Sequence, residues 1–494
     1  MRHGDSELGD AYDLDEALEL TGHGHYNYQL LTACSILSHG VALDMFGFNV
    51  VLAAASCDLE LGIVESGALA SAPFAGVIFA FLWGYYADTR GRRRAILLSS
   101  SVGFIMAALS SLAPCWQAML ALKLIGCSFS TASFSLTMTY LGECTGPKLR
   151  DRYIFIMTSA NLASEIVAFG LAYFLLQLNF IVPITWLAIT YRPWRLFTFI
   201  MASPLGMGAV MIYFLQESPK FLAERSSSKE TVKVLKVIYE MNGGKKDDYP
   251  VKDIKIDHSE RRNERFWSSL MKQTTPLFKP PLLWITLQLF YLMTIAISTN
   301  NVFIMWFSIF VNLFFNSLTV DNDNGSFCER IVSNLTVPQS DSITCSDTIS
   351  SNTLYSGMLL GLFYTFVTLL VSRIASWRRL VLITSFTIAA ISGILVDLLK
   401  EPWANLIVFV LLQGTLLGIG SVASYFVDLY PTACRGLAMS LAMMTARLVA
   451  LAGVNAVGAV IVNHCSLTFY AWTVLIAGGV IVVFFLPAHK VTKK

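Results

Sequence analysis

Four charged residues lie inside long apolar stretches of the sequence: Asp44, Lys123, Glu165 and Arg447. A charge at the centre of a membrane helix costs about 2.5–3.5 kcal/mol, so such residues are usually paired or functional. Asp44 and Lys123 fall at similar depth, so a structural ion pair and a substrate site fit them equally. Glu165 and Arg447 fall near the midplane. We expect Arg447 to bind a solute or to be paired structurally, and Glu165 is a candidate proton or cation site.

Neutral polar side chains in the same stretches could hydrogen-bond a solute that has left water. The candidates are Asn161, Asn300, Asn301, Gln413 and Tyr425, with Trp306 as an aromatic wall. The sequence contains no glycine-rich phosphate loop, no zinc-spaced Cys/His cluster and no hydrolase nucleophile motif. We therefore expect a binding site for a small polar or charged organic solute, with no catalytic residue, no cofactor and no metal.

The composition argues against a soluble enzyme. Hydrophobic residues make up 55% of the 494 residues and charged residues only 14%, whereas soluble domains carry about 25% charged residues. Most of the chain must therefore face lipid or other buried helices, and the lipid bilayer is its expected surrounding. The formal net charge of +2 gives no reason to expect nucleic-acid binding.

A membrane-spanning helix needs about 20 apolar residues, and the sequence predicts twelve of them. They are expected near 28–54, 66–87, 95–112, 116–141, 154–177, 196–215, 282–312, 353–372, 380–399, 403–427, 437–461 and 467–487. The expected fold class is an all-α membrane protein of two six-helix bundles. Its parts are an N-terminal segment 1–27, a first bundle 28–215, a linker 216–280 with amphipathic helices, a second bundle 281–487 and a tail 488–494.

The distribution of basic residues predicts the orientation, because Lys and Arg concentrate in cytoplasmic loops. Of the 35 Lys and Arg residues, only Arg192, Arg195, Arg330 and Lys400 lie in loops on the side opposite the termini. Both termini are therefore expected in the cytoplasm.

The loop 313–352 would then be extracytoplasmic. It carries two glycosylation sequons, at Asn324 and Asn334, and two cysteines, Cys328 and Cys345. In an oxidising compartment we expect these cysteines to form a disulfide that orders the loop.

An internal repeat relates the two bundles. A Tyr, an acid three residues later and an Arg seven residues after that occur at the ends of spans 4 and 10. The residues are Tyr140, Glu143 and Arg150 in the first bundle, and Tyr425, Asp428 and Arg435 in the second. Repeated bundles around a midplane site are typical of secondary transporters, so we expect these charged residues to act in gating.

The loop between spans 2 and 3 has the pattern Gly84-x-x-x-Asp88-x-x-Gly91-Arg92-Arg93. Its glycines would permit a close helix approach and a tight turn, and Asp88 could pair with the arginines. This loop resembles the signature loop of the major facilitator superfamily. The segment Gln216-Glu217-Ser218-Pro219 after span 6 resembles a second signature of its sugar-porter-like members, and it reads as a helix N-cap followed by a first-turn proline.

Three segments resemble the synaptic vesicle glycoprotein 2 family more specifically: 15–22, 425–432 followed by Arg435, and the loop between spans 7 and 8. The resemblance implies a monomeric transporter in a vesicle or plasma membrane that moves a solute by alternating access, with possible proton or cation coupling. Two departures stand out, because Lys123 replaces the family's Arg and the loop between spans 7 and 8 is much shorter. A plasma-membrane organic ion or sugar transporter and a non-transporting vesicle protein that acts through partners remain alternatives.

Overall fold

The computed structural model describes residues 12–187, 189–225, 228–255, 271, 274–320, 325–336, 349–373, 377–430 and 432–486. Asn324, Cys345 and the predicted tail 488–494 lie outside these residues, and the side chains of Asn334, Asp428 and Arg435 also lie outside what the structure describes.

Ten helical stretches of the described residues are long and apolar enough to cross a membrane. The last of them, Leu437–Phe484, has a non-helical residue at His464 and therefore contains two spans. One more, Ile63–Arg90, is interrupted by a 3-10 turn at Gly76–Phe79, so neither of its parts is long enough alone. Twelve spans result, as the sequence predicts.

The first bundle contains spans 1 to 6. Their bounds are His25–Met45 and Phe48–Ala54 (span 1), Ile63–Ala75, Gly76–Phe79 and Ala80–Arg90 (span 2), Arg92–Ser110 (span 3), Trp116–Cys144 (span 4), Pro147–Leu162 and Ser164–Leu175 (span 5), and Pro193–Tyr213 (span 6).

The second bundle contains spans 7 to 12. Their bounds are Leu282–Val320 (span 7), Ser351–Arg373 (span 8), Arg378–Leu398 (span 9), Pro402–Leu412, Gln413–Gly418 and Ile419–Leu429 (span 10), and Thr432–Phe484, which holds spans 11 and 12.

Short elements mark the two ends of the bundles. An antiparallel hairpin, Val182–Ile184 with Ile189–Tyr191, connects spans 5 and 6 at one end, which we call the hairpin side. The N-terminal helix Leu14–Leu20 and the linker helices Pro219–Arg225 and Ser228–Met241 lie at the other end, the linker side. Odd-numbered spans therefore run from the linker side to the hairpin side.

The interruption of span 2 has a local cause. Pro73 lacks the backbone N–H that an inner helical turn needs, and the 3-10 turn begins three residues later at Gly76. The backbone of Cys127 in span 4 fills the position that a Cβ on Gly76 would occupy. Only glycine fits here, so the irregular turn lets spans 2 and 4 approach backbone to backbone.

The hairpin-side end of the second bundle is packed with aromatic rings. Phe303 stacks on Phe469 with 5.6 Å between ring centroids, and Phe327 stacks on Phe409 with 4.9 Å. Phe327 begins the short helix Phe327–Thr336 of the loop between spans 7 and 8. The rings therefore pin this loop helix against the junction of spans 11 and 12.

The predicted pairing of Cys328 with Cys345 is wrong. Cys328 forms a disulfide with Cys465, whose Cα lies 5.7 Å away although it is 137 residues distant in sequence. The reason is the aromatic packing of Phe327, which holds the neighbouring Cys328 beside the kink at His464. Cys57 is also disulfide-bonded.

The N-terminal segment folds onto the linker at the linker side. We call residues 12–27 and 228–255 together the N-terminal clamp. Leu18 and Leu235 are buried in its small apolar core, and the Tyr249 hydroxyl donates a 2.7 Å hydrogen bond to the Ala17 carbonyl. This burial raises the pKa of Tyr249 above its usual value near 10. The Asn242 side chain donates to the Thr21 carbonyl at 3.1 Å and accepts from the backbone of span 1.

Candidate functional site

The two bundles meet on the hairpin side around Trp306 of span 7. Its side chain is fully buried, and its indole N–H donates a 3.2 Å hydrogen bond to the Val454 carbonyl in span 11. The same ring lies against Gly67 of span 2 and Gly458 of span 11. The predicted aromatic wall therefore fills the space where spans 2, 7 and 11 converge.

Neighbouring residues of span 7 close the rest of this end. The Asn49 amide of span 1 donates to the Ile304 carbonyl at 2.9 Å, and its oxygen accepts a 3.0 Å hydrogen bond from Ser308. Phe307 contacts Phe169 of span 5 edge to face, with 5.8 Å between centroids. We call Asn49, Phe169, Trp306 and Phe307 the hairpin-side seal. Its residues belong to spans 1, 5 and 7, and Trp306 contacts spans 2 and 11, so the seal joins both bundles.

The charged residues at the linker side interact within the first bundle. Arg92 pairs with Asp88, and its guanidinium lies 3.3 Å from the Glu143 carboxylate. The Ser218 hydroxyl donates a 2.6 Å hydrogen bond to Glu143 and accepts the backbone N–H of Phe221 at 3.1 Å. Ser218 is therefore a helix N-cap, as the sequence predicts, and it ties the linker to spans 3 and 4.

The two glycines of the loop between spans 2 and 3 behave differently. Gly91 has φ +108°, a conformation that favours glycine, and a Cβ there would lie 2.5 Å from the Glu217 carboxylate. Glu217 accepts the backbone N–H of Arg93 at 2.9 Å. Gly84, by contrast, has no other atom within 4 Å of the position of a Cβ. The expected close helix approach is wrong for Gly84, because this part of span 2 faces open space, and the tight turn belongs to Gly91.

The predicted gating residue Arg150 contacts the N-terminal clamp. Its guanidinium lies 2.7 Å from the Asp15 carboxylate and donates to the Gly142 carbonyl at 2.8 Å. In the second bundle, Arg378 donates a 2.9 Å hydrogen bond to Ser424 and lies 4.5 Å above the ring of Tyr425. Arg150 therefore joins the first bundle to the N-terminal clamp, and the contacts of Arg378 lie within the second bundle.

Asp44 and Lys123 form a buried ion pair. The Lys123 ammonium is 2.5 Å from the Asp44 carboxylate, and the two side chains are 4% and 2% exposed. The second carboxylate oxygen accepts a 3.2 Å hydrogen bond from Ser130, and the ammonium lies 4.4 Å from the centre of the Phe48 ring. Every charge here is satisfied, so in this state the pair connects spans 1 and 4 and presents no free group to a solute.

Glu165 and Arg447 have no such partners. Among the described residues, Arg447 has no hydrogen bond, ion pair or ring contact, and Glu165 has one buried carboxylate oxygen without a hydrogen-bond donor. Asn301 is 5% exposed, and neither it nor the half-buried Asn300 has a side-chain hydrogen bond to a described residue. The structure thus leaves unpaired four of the side chains that the sequence singles out.

Glu165, Asn300 and Arg447 lie on the linker side of the seal, within about two helical turns of it. Glu165 precedes Phe169 by four residues and Asn300 precedes Phe307 by seven. A rise of 1.5 Å per residue places them ~6 Å and ~10 Å below the seal. Arg447 precedes Val454, which bonds Trp306, by seven residues and is also ~10 Å below. Residues four or seven apart share a helix face, so all three point toward the interface between the bundles.

Two predicted site residues lie elsewhere. The Asn161 amide donates a 3.1 Å hydrogen bond to the Ser38 carbonyl and thereby joins spans 1 and 5. Tyr425 packs under Arg378 near the linker-side end of span 10.

Gln413 is fully buried, and neither its amide nitrogen nor its amide oxygen forms a hydrogen bond to a described residue. The same is true of Asn405, which was not predicted from the sequence. Asn405 could have been found in the sequence, because it is an amide side chain within the apolar stretch at the start of span 10.

Comparison with known proteins identifies the family. The sequence profile of the Major Facilitator Superfamily matches residues 34–321, more than half of the chain. The chain belongs to this superfamily. It is therefore a multi-pass membrane protein of a transporter superfamily, and its ion-paired linker-side loop is the superfamily signature that the sequence resembles.

The chain is also similar to individual synaptic vesicle glycoproteins. The chain is 27% identical to synaptic vesicle glycoprotein 2C of Homo sapiens over 244 residues, which is 49% of this chain and 33% of the relative. Synaptic vesicle glycoprotein 2B of Homo sapiens is 25% identical over 243 residues, 47% of this chain and 34% of the relative. The chain thus matches about a third of the length of these relatives, and it resembles the synaptic vesicle glycoprotein 2 family.

Solved structures share the fold over nearly the whole chain. The partially occluded inward-open conformation of the xylose transporter XylE from E. coli gives a TM-score of 0.65 at 12% identity, covering 95% of this chain and 99% of that one. A D323A mutant of the nucleoside transporter NupG gives 0.57 at 14% identity, covering 93% and 98%. The fold of two six-helix bundles is confirmed.

Proposed function

We propose that this protein is a transporter that moves a small polar or charged organic solute by alternating access, with the solute held between the bundles at Arg447, Glu165, Asn300 and Asn301. The observation that carries the proposal is a contrast between two sets of charged residues inside the membrane. Asp44 and Lys123 satisfy each other, whereas Glu165 and Arg447 stay unpaired at the interface. An unpaired charge inside the membrane costs free energy. Binding a solute that neutralises this charge is a reason for the protein to keep it.

The closed and open ends fit one state of a transport cycle. The seal closes the hairpin side about two helical turns above the site. On the face of span 11 that carries Arg447, Ser440 lies two turns toward the linker side and is exposed, which supports access to the site from the linker side. With the linker in the cytoplasm, as the basic loops favour, this is an inward-facing state. The complementary state requires the seal to open and the linker-side ends to close.

The test is a thermal-shift screen of the purified protein in detergent against a metabolite library, run in parallel on Arg447→Gln and Glu165→Gln. The matched control is Arg379→Gln, because Arg379 donates to the Phe484 carbonyl at the linker side and lies outside the site. A compound that stabilises the wild type and the control but neither site variant supports the proposal, and liposome counterflow of that compound then measures transport.

The alternative function is a non-transporting vesicle protein that acts through partners. The similarity to synaptic vesicle glycoproteins suggests it and favours a vesicle membrane as the location. Failure of every compound in the library to stabilise well-folded wild-type protein would contradict transport and support this alternative.

A further inference from the structure

The positions of Arg447 and Glu165 relative to span 7 restrict the shape of the solute. Trp306 contacts spans 2 and 11 on one flank of span 7, and Phe307 contacts span 5 on the other. Arg447 lies below the first contact and Glu165 below the second. The two charges therefore lie on opposite flanks of the interface, which explains why they do not pair with each other.

Neither charge has an ion-pair partner among the residues that the structure describes. The Cβ of Glu165 packs against Gly361 of span 8, and one turn further along span 5 Phe169 lies against Gly357. Glycines of span 8 thus pack against this part of span 5 and bring no charge to it. On the other flank, the helix turns next to Arg447 present Ala446 and Ala450, both fully buried. Neither charge can be neutralised by turning to a described residue of its own helix pair.

Between the two charges lie the neutral amides of span 7. Asn300 shares a helix face with Phe307, which contacts span 5, and Asn301 shares a face with Ser308, which bonds Asn49 of span 1. Both amides therefore face the first bundle. An arrangement of guanidinium, amides and carboxylate across the interface complements a molecule with an acidic end, a polar or flexible middle and a basic end.

We propose that the solute is amphoteric and elongated, with its anionic group on Arg447 and its cationic group on Glu165. This inference rests on the proposed function and names its substrate class. Because the charges belong to different bundles, such a solute joins both of them through its ends. A solute with a single charge would leave the other charge unpaired in the membrane interior.

The test uses ω-amino acids of increasing length: β-alanine, γ-aminobutyrate and ε-aminocaproate. Their single-charge analogues propionate, butyrate, hexanoate, propylamine, butylamine and hexylamine serve as matched probes. Binding to the purified full chain is measured by thermal shift and isothermal calorimetry. We expect one chain length to bind at least tenfold more tightly than its single-charge analogues. Arg447→Gln and Glu165→Gln should each remove that preference, whereas Arg447→Lys should retain part of it.

The outcomes separate the two proposals. If carboxylates bind as tightly as the amino acids and only Arg447→Gln weakens them, the amphoteric class is wrong and the site of the proposed function stands as an anion site. If amines bind as well and depend only on Glu165, the site is a cation site and the inference is again overturned. A third outcome is that none of these probes binds, whereas another library compound that lacks either an anionic or a cationic group binds and needs both residues. The inference about the substrate class then fails and the proposed transport function stands.

Discussion

Neutralising the buried pair Asp44–Lys123 should cost far more stability than neutralising Glu165 or Arg447. Breaking a buried ion pair by removing one partner typically costs about 3–5 kcal/mol, because it leaves the other charge uncompensated. The contact of 2.5 Å and exposures of 4% and 2% place this pair in that class. In Asp44→Asn, the ammonium keeps the ring of Phe48 but faces a neutral amide in place of its counter-ion. In Lys123→Met, the carboxylate keeps the hydroxyl of Ser130.

Lys123→Met should therefore leave an unpaired carboxylate with the Ser130 hydroxyl and the Cys127 thiol as its donors, and Asp44→Asn should leave an unpaired ammonium beside the Phe48 ring. We expect each single variant to be destabilised by about 3 kcal/mol or more. The double variant has no unpaired charge, so it should lose less stability than the sum of the two single losses. The resulting coupling free energy is about 2–3 kcal/mol, the upper range for residues in contact.

Intrinsic tryptophan fluorescence during thermal melting in detergent measures the four members of this cycle. The same cycle on Glu165→Gln and Arg447→Gln is the matched control. Each of those variants removes an unpaired charge, so melting should stay unchanged or rise, and the two effects should add. Additive losses at Asp44 and Lys123, or strong coupling between Glu165 and Arg447, would refute the assignment of paired and unpaired charges.

Other predictions concern the loops and the clamp. Gly91→Ala should destabilise the protein by about 1–2 kcal/mol, because alanine pays the cost of a left-handed conformation and its Cβ crowds Glu217. Gly84→Ala is the control, and a melting shift for Gly91→Ala no larger than that of the control would contradict this. Cys465→Ser should expose one new thiol at Cys328 to maleimide under non-reducing conditions, and an unchanged thiol count would mean a different disulfide. Leu235→Ala should cost about 2–5 kcal/mol locally and release residues 12–27 to protease, while equal cleavage in wild type would show that the clamp is not formed.

The fold followed from the sequence because each of its determinants is local. Apolar length predicts the spans, and the repeat of Tyr140, Glu143 and Arg150 in the second bundle predicts two related halves. The Ser218 cap and the Gly91 turn are likewise set by residues within a few positions of each other. Nothing in these inferences depends on which distant helices touch.

The tertiary structure decided which of those residues are free. The sequence leaves an ion pair and a substrate site equally open for Asp44 and Lys123, and a solute site and a structural pairing equally open for Arg447. Only the packing of spans 1 and 4 pairs the first two, and only the placement of Glu165 and Arg447 on opposite flanks of span 7 keeps the others apart.

The partner of Cys328 was likewise decided by the tertiary structure and not by the sequence. Cys328 and Cys345 are close in sequence, but spacing along a chain does not determine distance in space. The aromatic packing of Phe327 brings Cys328 to Cys465. Charge and cysteine partners depend on distances of a few ångströms between remote segments, and those distances exist only once the helices have packed.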